Sequence, residues 1–386
     1  WSPLVDRLHI PYLSKKIGHR KSWIISMQFL IFLCLILWST LNPSEDLWLV
    51  IFVGLGIAIS SATQDITIDA LRIEQINQNE NRAMAAGAAI SVVGWWTGYK
   101  IGGAISLVSA DFFQQQGFEN YWQLSFLLLS IIIILTSFAL ILIPEKSSAV
   151  RTANQRKNDS KLINKLHFNS QISKILAWVY GTIVNPLVSF FKKNTVSVAL
   201  GILSFIFLFK IGEAFLGRMS IIFYKEIGFS KTDIAFYSKG IGWITTITFT
   251  LLGGLFAIRM GLVKAMFVSG IVMALTNLMF SVLAWVGQSE ILFAFTVLID
   301  DLAAAFATVA FVAFISALVD RTYTATQYAL LASIGTAGRT LFASSSGSLV
   351  DWLNGDWSIF FIITAIMVIP SLLCLLAIKN KLKLNE

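Results

Sequence analysis

Charge is scarce in this chain. Only 13% of its 386 residues are Asp, Glu, Lys or Arg, against about 25% in soluble domains, which excludes a soluble fold of this length. Cysteine is rarer still. Cys34 and Cys374 stand far apart in apolar stretches and read as small core residues. The three histidines, His9, His19 and His167, fall in predicted loops without a partner at metal-ligand spacing, so no metal site is expected. There is no GxxxxGK(S/T) loop, which excludes an ATP-driven engine in this chain. GxSxG, HExxH and Cys/His clusters are missing too; the sequence offers no catalytic residue and requires no cofactor.

What is present is overwhelmingly apolar. Hydrophobic residues make up 56% and the mean hydropathy is +0.75. A bilayer-spanning helix needs about 20 apolar residues. Ten stretches qualify: Trp23–Leu41, Leu47–Leu71, Ala83–Ser109, Trp122–Ile143, Val196–Tyr224, Asp233–Ala257, Leu262–Val286, Ile291–Val319, Gln327–Val350 and Trp357–Ile378. The predicted fold class is all-α integral membrane, multi-pass, with the lipid bilayer as its surroundings. The chain opens on Trp1-Ser2-Pro3-Leu4-Val5 ahead of Asp6-Arg7, with no Met and no signal peptide. That opening reads as the last turn of a further span, as expected of an N-terminally truncated fragment.

The net charge of +8 is not a nucleic-acid footprint, because it gathers on one side. The loops 6–22, 72–82, 144–195, 258–264 and 320–325 and the tail 379–386 hold 22 of the 29 Lys and Arg. The alternate loops hold only Lys225 and Lys231. The positive-inside rule assigns the basic side to the cytoplasm. Segment 144–195 divides the chain. After the helix stop Pro144-Glu145-Lys146, residues 146–170 read as a solvated linker. The amphipathic stretch Ile172–Phe191, closed by Lys192-Lys193, is expected to lie on the inner leaflet. The predicted domains are a bundle over 1–145, a cytoplasmic linker over 146–195 and a second bundle over 196–386. Restoring the start gives six spans in each half, against ten full spans and a stub here. That division resembles the major facilitator architecture of two helical bundles about a central cavity.

A charge at membrane depth costs roughly 2.5–3.5 kcal/mol, so it lines a polar cavity or pairs with another charge. A passive anchor has no use for such a cavity; a transporter has. Gln64-Asp65-Ile66-Thr67-Ile68-Asp69 puts two carboxylates four residues apart, on one helix face. Asp65 is a candidate for proton coupling and Gln64 for substrate binding. Asp69 reaches the interface, where a helix-end salt bridge is the alternative. Gly94, Gly98 and Gly102 make a small-xxx-small face for close helix packing. Lys100, on the same span, snorkels or faces the cavity and is a substrate-binding candidate. Lys210-Ile211-Gly212-Glu213 sets a base and an acid three residues apart, roughly 20–30 Å from the cytoplasmic end. They neutralise each other, or Lys210 holds substrate and Glu213 carries protons. Lys239 lies further toward the outer face as another substrate-binding candidate. Asp300 and Asp301 project about 100° apart on a helix, so one faces a cavity and the other a neighbouring helix; both are proton-coupling candidates. Arg339, just after Gly335 and Gly338, is the expected counter-ion and a bidentate holder of a substrate carboxylate.

The first loop reads Ser2-Pro3-Leu4-Val5-Asp6-Arg7, then Lys15-Lys16, then Gly18-His19-Arg20-Lys21. It resembles the acid-plus-basic signature between the second and third helices of major facilitators, which helps latch their inward face. The insert here is longer, and Ser2 stands where the pattern prefers Gly. Asp6, Arg7, Arg20 and Asp69 are the candidate latch; a merely topogenic basic loop is the alternative.

Several runs together resemble the muropeptide permease (AmpG) family of major facilitators. They are Trp1–Arg7, Gln64-Asp65 with Asp69-Ala70, Gly87-Ala88-Ala89-Ile90-Ser91-Val92, and Lys210 with Gly212-Glu213-Ala214. Further along come Gly228-Phe229, Ala310–Phe314, and Thr324-Ala325-Thr326-Gln327-Tyr328-Ala329-Leu330-Leu331 with Gly338-Arg339. The chain departs from the family at Glu213, where Asp is commoner, and at Asp300-Asp301, where a Glu-Asn-like pair is expected. The resemblance implies a proton symporter that imports anhydro-muropeptides, small glycopeptides, across the bacterial inner membrane for peptidoglycan recycling, working as a monomer. Aromatic residues, including Trp95-Trp96 and Trp243, are available to stack on sugars, although most Trp suit interface anchoring. The rival readings are a related facilitator with another cargo such as acetyl-CoA, a membrane-embedded enzyme, and a receptor-like membrane protein.

Overall fold

The computed structural model describes residues 1–77, 79–164, 170–230, 233–234 and 242–382. Lys239, His167 and the side chain of Trp243 lie outside the described residues. Helices run almost end to end, and no strand occurs among the described residues. In chain order they are α1 (Ser2–Arg7), α2 (Leu13–Ile17), α3 (His19–Trp38), α4 (Leu47–Gln75), α5 (Asn81–Gln115), α6 (Tyr121–Leu142), α7 (Ala149–Ile163), α8 (Ser170–Asn194) and α9 (Val196–Leu208). Then come α10 (Ile211–Glu226), α11 (Gly242–Met260), α12 (Leu262–Val286), α13 (Glu290–Leu318), α14 (Thr324–Ala343), α15 (Ser346–Trp352), α16 (Trp357–Ile366) and α17 (Ile369–Ile378). A 3-10 turn, Arg321–Tyr323, leads into α14.

Eight helical stretches among the described residues are long and apolar enough to cross a membrane. Seven fall on expected spans. The eighth is Gln171–Asn194, the stretch expected to lie on the surface. Among the other expected spans, α5 carries five glycines and Lys100, and α14 and α15 split a single expected helix.

The chain forms two compact units. The first contains Trp1–Ile76, Gly98–Ser189 and Val319–Ala329. In it α3 packs on α4 and α6, with Ser137 donating to Gln28 Oε1 at 2.7 Å. The start of α3 is capped from a distance: Glu145 accepts the Arg20 N–H at 2.8 Å and the Lys21 N–H at 3.0 Å. A carboxylate there satisfies orphan donors and suits the helix dipole. Gly18 must be Gly, because its φ of +106° leaves no room for a side chain and any Cβ would strike the Glu145 carboxylate.

The second unit contains Asn77–Thr97, Phe190–Leu318 and Leu330–Glu386. Here α12 packs on α13 and α16, α13 on α11, and α17 on α9. Its core is aromatic: Phe223 meets Phe361 edge-on at 4.7 Å and Tyr224 meets Phe293 at 4.7 Å. Lipid tails are as apolar as these rings, so dispersion from close fit holds the helices together here, with little help from the hydrophobic effect.

Three expected helices are broken. Phe209 and Lys210 interrupt the span of α9 and α10, Ser344 and Ser345 that of α14 and α15, and Met367 and Val368 that of α16 and α17. The last break precedes Pro370, which has no N–H to continue a helix. At the first break Gly212 lies against the Thr364 carbonyl, and Gly338 of α14 lies against the Phe207 carbonyl of α9. Both approaches need a missing side chain. The glycine face of α5 behaves otherwise. Among the described residues, a Cβ on Gly94, Gly98 or Gly102 would meet nothing within 4 Å, which corrects the close-packing expectation. The small-residue contact sits earlier on α5, where Ala89 meets Gly254 and packs with Val309. Gly338→Ala is therefore expected to lower stability by about 1–3 kcal/mol. Gly98→Ala is expected to be neutral or to stabilise by up to about 1 kcal/mol. Thermal unfolding in detergent compares the two, and equal effects would contradict the packing described.

Candidate functional site

Two groups of charged side chains stand out, one in each unit. In the first unit Arg20 is wholly buried. Its guanidinium reaches Asp6 Oδ1 at 2.6 Å, Glu74 Oε1 at 2.6 Å and the Val5 carbonyl at 3.1 Å. Asp6 in turn accepts the Ala325 N–H at 3.1 Å, the Thr326 N–H at 2.8 Å and the Thr326 hydroxyl at 2.6 Å. One carboxylate thus caps the start of α14 while neutralising an arginine from α3. Arg7 forms a bidentate pair with Asp159 of α7, both bonds 2.8 Å. Arg151, also on α7, gives both Glu74 oxygens 2.6 Å contacts. Burial, then the neighbouring Arg20, lowers Arg151 from the usual arginine value, against the pull of Glu74 and Asp6. Arg321 donates to the Ile73 and Ile76 carbonyls at the end of α4. Gln155 donates to the Thr322 carbonyl at 3.0 Å and Asn158 to the Tyr323 hydroxyl at 3.1 Å. Segments from before, within and after the linker are therefore tied into one polar network.

Asp69 joins this region by another route. It pairs with Arg72 at 2.8 Å, a helix-end salt bridge, and lies near enough to Tyr328 for its charge to act on the phenol. Asp65, one turn earlier, is exposed and Gln64 is half-buried.

In the second unit Lys210 sits at the α9–α10 break, 7% exposed. Its ammonium lies 2.9 Å from Glu213 Oε2 and donates to Thr308 Oγ1 of α13 at 2.8 Å. The Thr308 hydroxyl donates a hydrogen bond to the Ala304 carbonyl at 2.7 Å, so its lone pair is free to accept from Lys210. Asp300, on the same helix, lies 3.2 Å from Thr276 Oγ1 of α12. Asp301 points elsewhere, lining a cavity of about 440 Å³ with Glu290, Thr245 and Phe295. Arg339 is exposed. It is near enough to Lys210 for their charges to interact, but among the described residues it forms no ion pair with Asp300 or Asp301. Lys100 is half-buried on α5, in the other unit.

The structure thus brings together Asp6 and Arg20, and separately Lys210, Glu213 and Asp300. Reading the sequence missed Glu74, Arg151, Asp159, Thr308 and Thr276. Asp159 left a signal, as the single acid among the nine Lys and Arg of 146–195. The two threonines left none, because a hydroxyl within an apolar run looks the same whether it bonds its own helix or a neighbour's charge.

The sequence profile of the Major Facilitator Superfamily matches residues 7–243. The chain is 34% identical over 381 residues to a putative transporter named AmpG 4 from Rickettsia felis, covering 99% of this chain and 84% of that protein. It is 29% identical over 385 residues to the anhydromuropeptide permease of Escherichia coli K12, covering 99% of this chain and 70% of the permease. Among solved structures, the transporter FucP in its outward conformation aligns with a TM-score of 0.64 at 13% identity, covering 99% of this chain and 86% of FucP. The proton:xylose symporter XylE aligns at 0.60 and 14% identity, covering 98% and 82%. At such identities the structures speak for the fold. With the profile spanning more than half of the chain and the Rickettsia felis relative matching nearly all of it, this multi-pass membrane protein belongs to the Major Facilitator Superfamily and, within it, to the AmpG transporters.

Proposed function

We propose that this chain imports anhydro-muropeptides across the bacterial inner membrane by proton symport, as a monomer and without chemical change to the cargo. The observation that carries the reading is the relationship, over nearly all of this chain and 70% of the relative, to a protein named as an anhydromuropeptide permease. The buried charges supply a mechanism. While Glu213 is ionised it occupies Lys210. A proton on Glu213 cancels that attraction and frees the ammonium for a carboxylate of the incoming glycopeptide. Loss of the proton lets Glu213 reclaim Lys210 and expel the anion, so cargo and proton travel together. Asp300 is a second proton carrier. The single hydroxyl proton of Thr276 serves either the Met273 carbonyl at 2.9 Å or Asp300 at 3.2 Å, and a proton brought by Asp300 satisfies both. Asp65 and Asp301 complete the acids in this role, with Gln64, Lys100, Lys239 and Arg339 as cargo contacts. Asp6, Arg7, Arg20 and Asp69 latch the cytoplasmic end. The bundles 1–145 and 196–386 are the two halves of the transporter, joined by the linker 146–195.

Vesicles from cells lacking their own permease test the cargo. Labelled N-acetylglucosaminyl-anhydro-N-acetylmuramic acid is expected to enter intact, with uptake abolished by a protonophore and unaffected by excess acetyl-CoA. Uptake of acetyl-CoA alone would assign another cargo, and a chemically altered product would indicate an enzyme.

A further inference from the structure

Release by Glu213 would leave the Lys210 ammonium on a long, flexible stem, and an unanchored stem loses entropy whenever it meets cargo. The backbone beneath it is irregular, because Lys210 stands at the break between α9 and α10. Three contacts join this stretch to α13. Phe205 meets Phe314 edge-on at 5.4 Å, and Phe209 stacks on Phe311 at 5.9 Å with the rings 1° from parallel. The Lys210 ammonium donates to Thr308 Oγ1 at 2.8 Å. Phe205, Phe209 and Phe314 are wholly buried, so close packing fixes the first two contacts. The third is the polar end of the same seam.

Thr308 is itself held still. Its β-branched side chain has few rotamers in a helix, and its hydroxyl donates to the Ala304 carbonyl at 2.7 Å. With that proton committed, the oxygen can only accept from Lys210. It is a neutral acceptor that stays the same whether Glu213 is ionised or protonated. A carboxylate at this place would compete with an anionic cargo; a threonine does not.

We propose that Thr308 is a positioning residue for cargo recognition. It keeps the Lys210 ammonium in place after Glu213 lets go, aimed at the carboxylate of the cargo. An ammonium has three N–H donors. Thr308 takes one and leaves the others to Glu213 or to the carboxylate that replaces it. This rests on Lys210 as the holder of the cargo's carboxylate, and it makes a free carboxylate a condition of tight binding.

The test is uptake by the whole chain in sealed vesicles under an imposed proton gradient. Two labelled cargoes are compared, N-acetylglucosaminyl-anhydro-N-acetylmuramic acid and the same sugar with its carboxyl converted to the amide. Wild type is expected to prefer the acid. Thr308→Val keeps the shape and removes the acceptor. It is expected to raise KM for the acid at least about tenfold, the consequence of losing a hydrogen bond to a charged group. KM for the amide and the maximal rate are expected to stay within about twofold of wild type, as when binding alone is weakened. Thr308→Ser, which keeps the hydroxyl, is expected to restore the preference for the acid. Thr308→Cys, a weak acceptor, serves if the valine variant does not fold. Equal losses for acid and amide, or no rescue by serine, would make Thr308 a packing residue and overturn the proposal. So would an unchanged KM for the acid. Wild type that takes acid and amide equally well would remove Lys210 from carboxylate binding, and the proposal would fall with it; that failure shows before any variant is made.

Discussion

Arg20→Ala is expected to remove about 3–5 kcal/mol of stability, the usual consequence of deleting one partner from a buried ion pair. The size follows from what stays behind. Glu74 keeps Arg151 at 2.6 Å, so it remains neutralised. Asp6, 1% exposed, keeps only the two N–H groups and one hydroxyl from Ala325 and Thr326. Its charge then has no cation in contact. Arg20→Lys is expected to recover less than half of the loss. One ammonium lacks the planar fork that serves Asp6, Glu74 and the Val5 carbonyl together. Denaturant unfolding in detergent measures both variants. A loss below about 1 kcal/mol for Arg20→Ala would show that water screens the network as it does an exposed ion pair.

Glu213→Ala is expected to reduce uptake at least about 100-fold, because it strands a buried ammonium, a change worth about 2–5 kcal/mol at buried charge pairs. Lys210 would keep Thr308 as its hydrogen-bond partner and lose the carboxylate paired with it. Glu213→Gln separates packing from protonation. The amide oxygen still accepts from Lys210, so the fold and cargo binding are expected to survive, while accumulation against a gradient fails. Replacing both, by Lys210→Met and Glu213→Leu, is expected to restore stability without restoring uptake, since well-packed apolar pairs replace buried ion pairs at little cost. Normal accumulation by Glu213→Gln would remove Glu213 from the coupling mechanism.

The parts of this chain that were readable in its sequence are those set by short-range periodicity or by the cost of burying charge. Spans follow from apolar length, and the Lys210–Glu213 pair follows from helical spacing. Asp6 and Arg20 were identified through a resemblance, not through spacing, since a loop separates them. What stayed hidden depends on which surfaces meet. The glycines of α5 mark a smooth face, but spacing cannot say whether a neighbour lies against it, and Ala89 takes the contact with Gly254 instead. The break at Phe209–Lys210 was invisible because no proline marks it; the close approach of Gly212 to the Thr364 carbonyl accompanies it. Arg339 looked like the counter-ion of Asp300 by depth alone, yet Thr276 is the group that reaches that carboxylate. The partners Arg7 and Asp159 are 152 residues apart, beyond any local pattern.

Proton-driven accumulation by purified protein tests the central claim most directly. In sealed vesicles with an imposed inward proton gradient, labelled anhydro-disaccharide should concentrate inside unchanged while protons enter with it. Both fluxes should disappear together in Glu213→Gln. Cargo accumulation that persists without proton entry, or that Glu213→Gln leaves intact, would contradict the account.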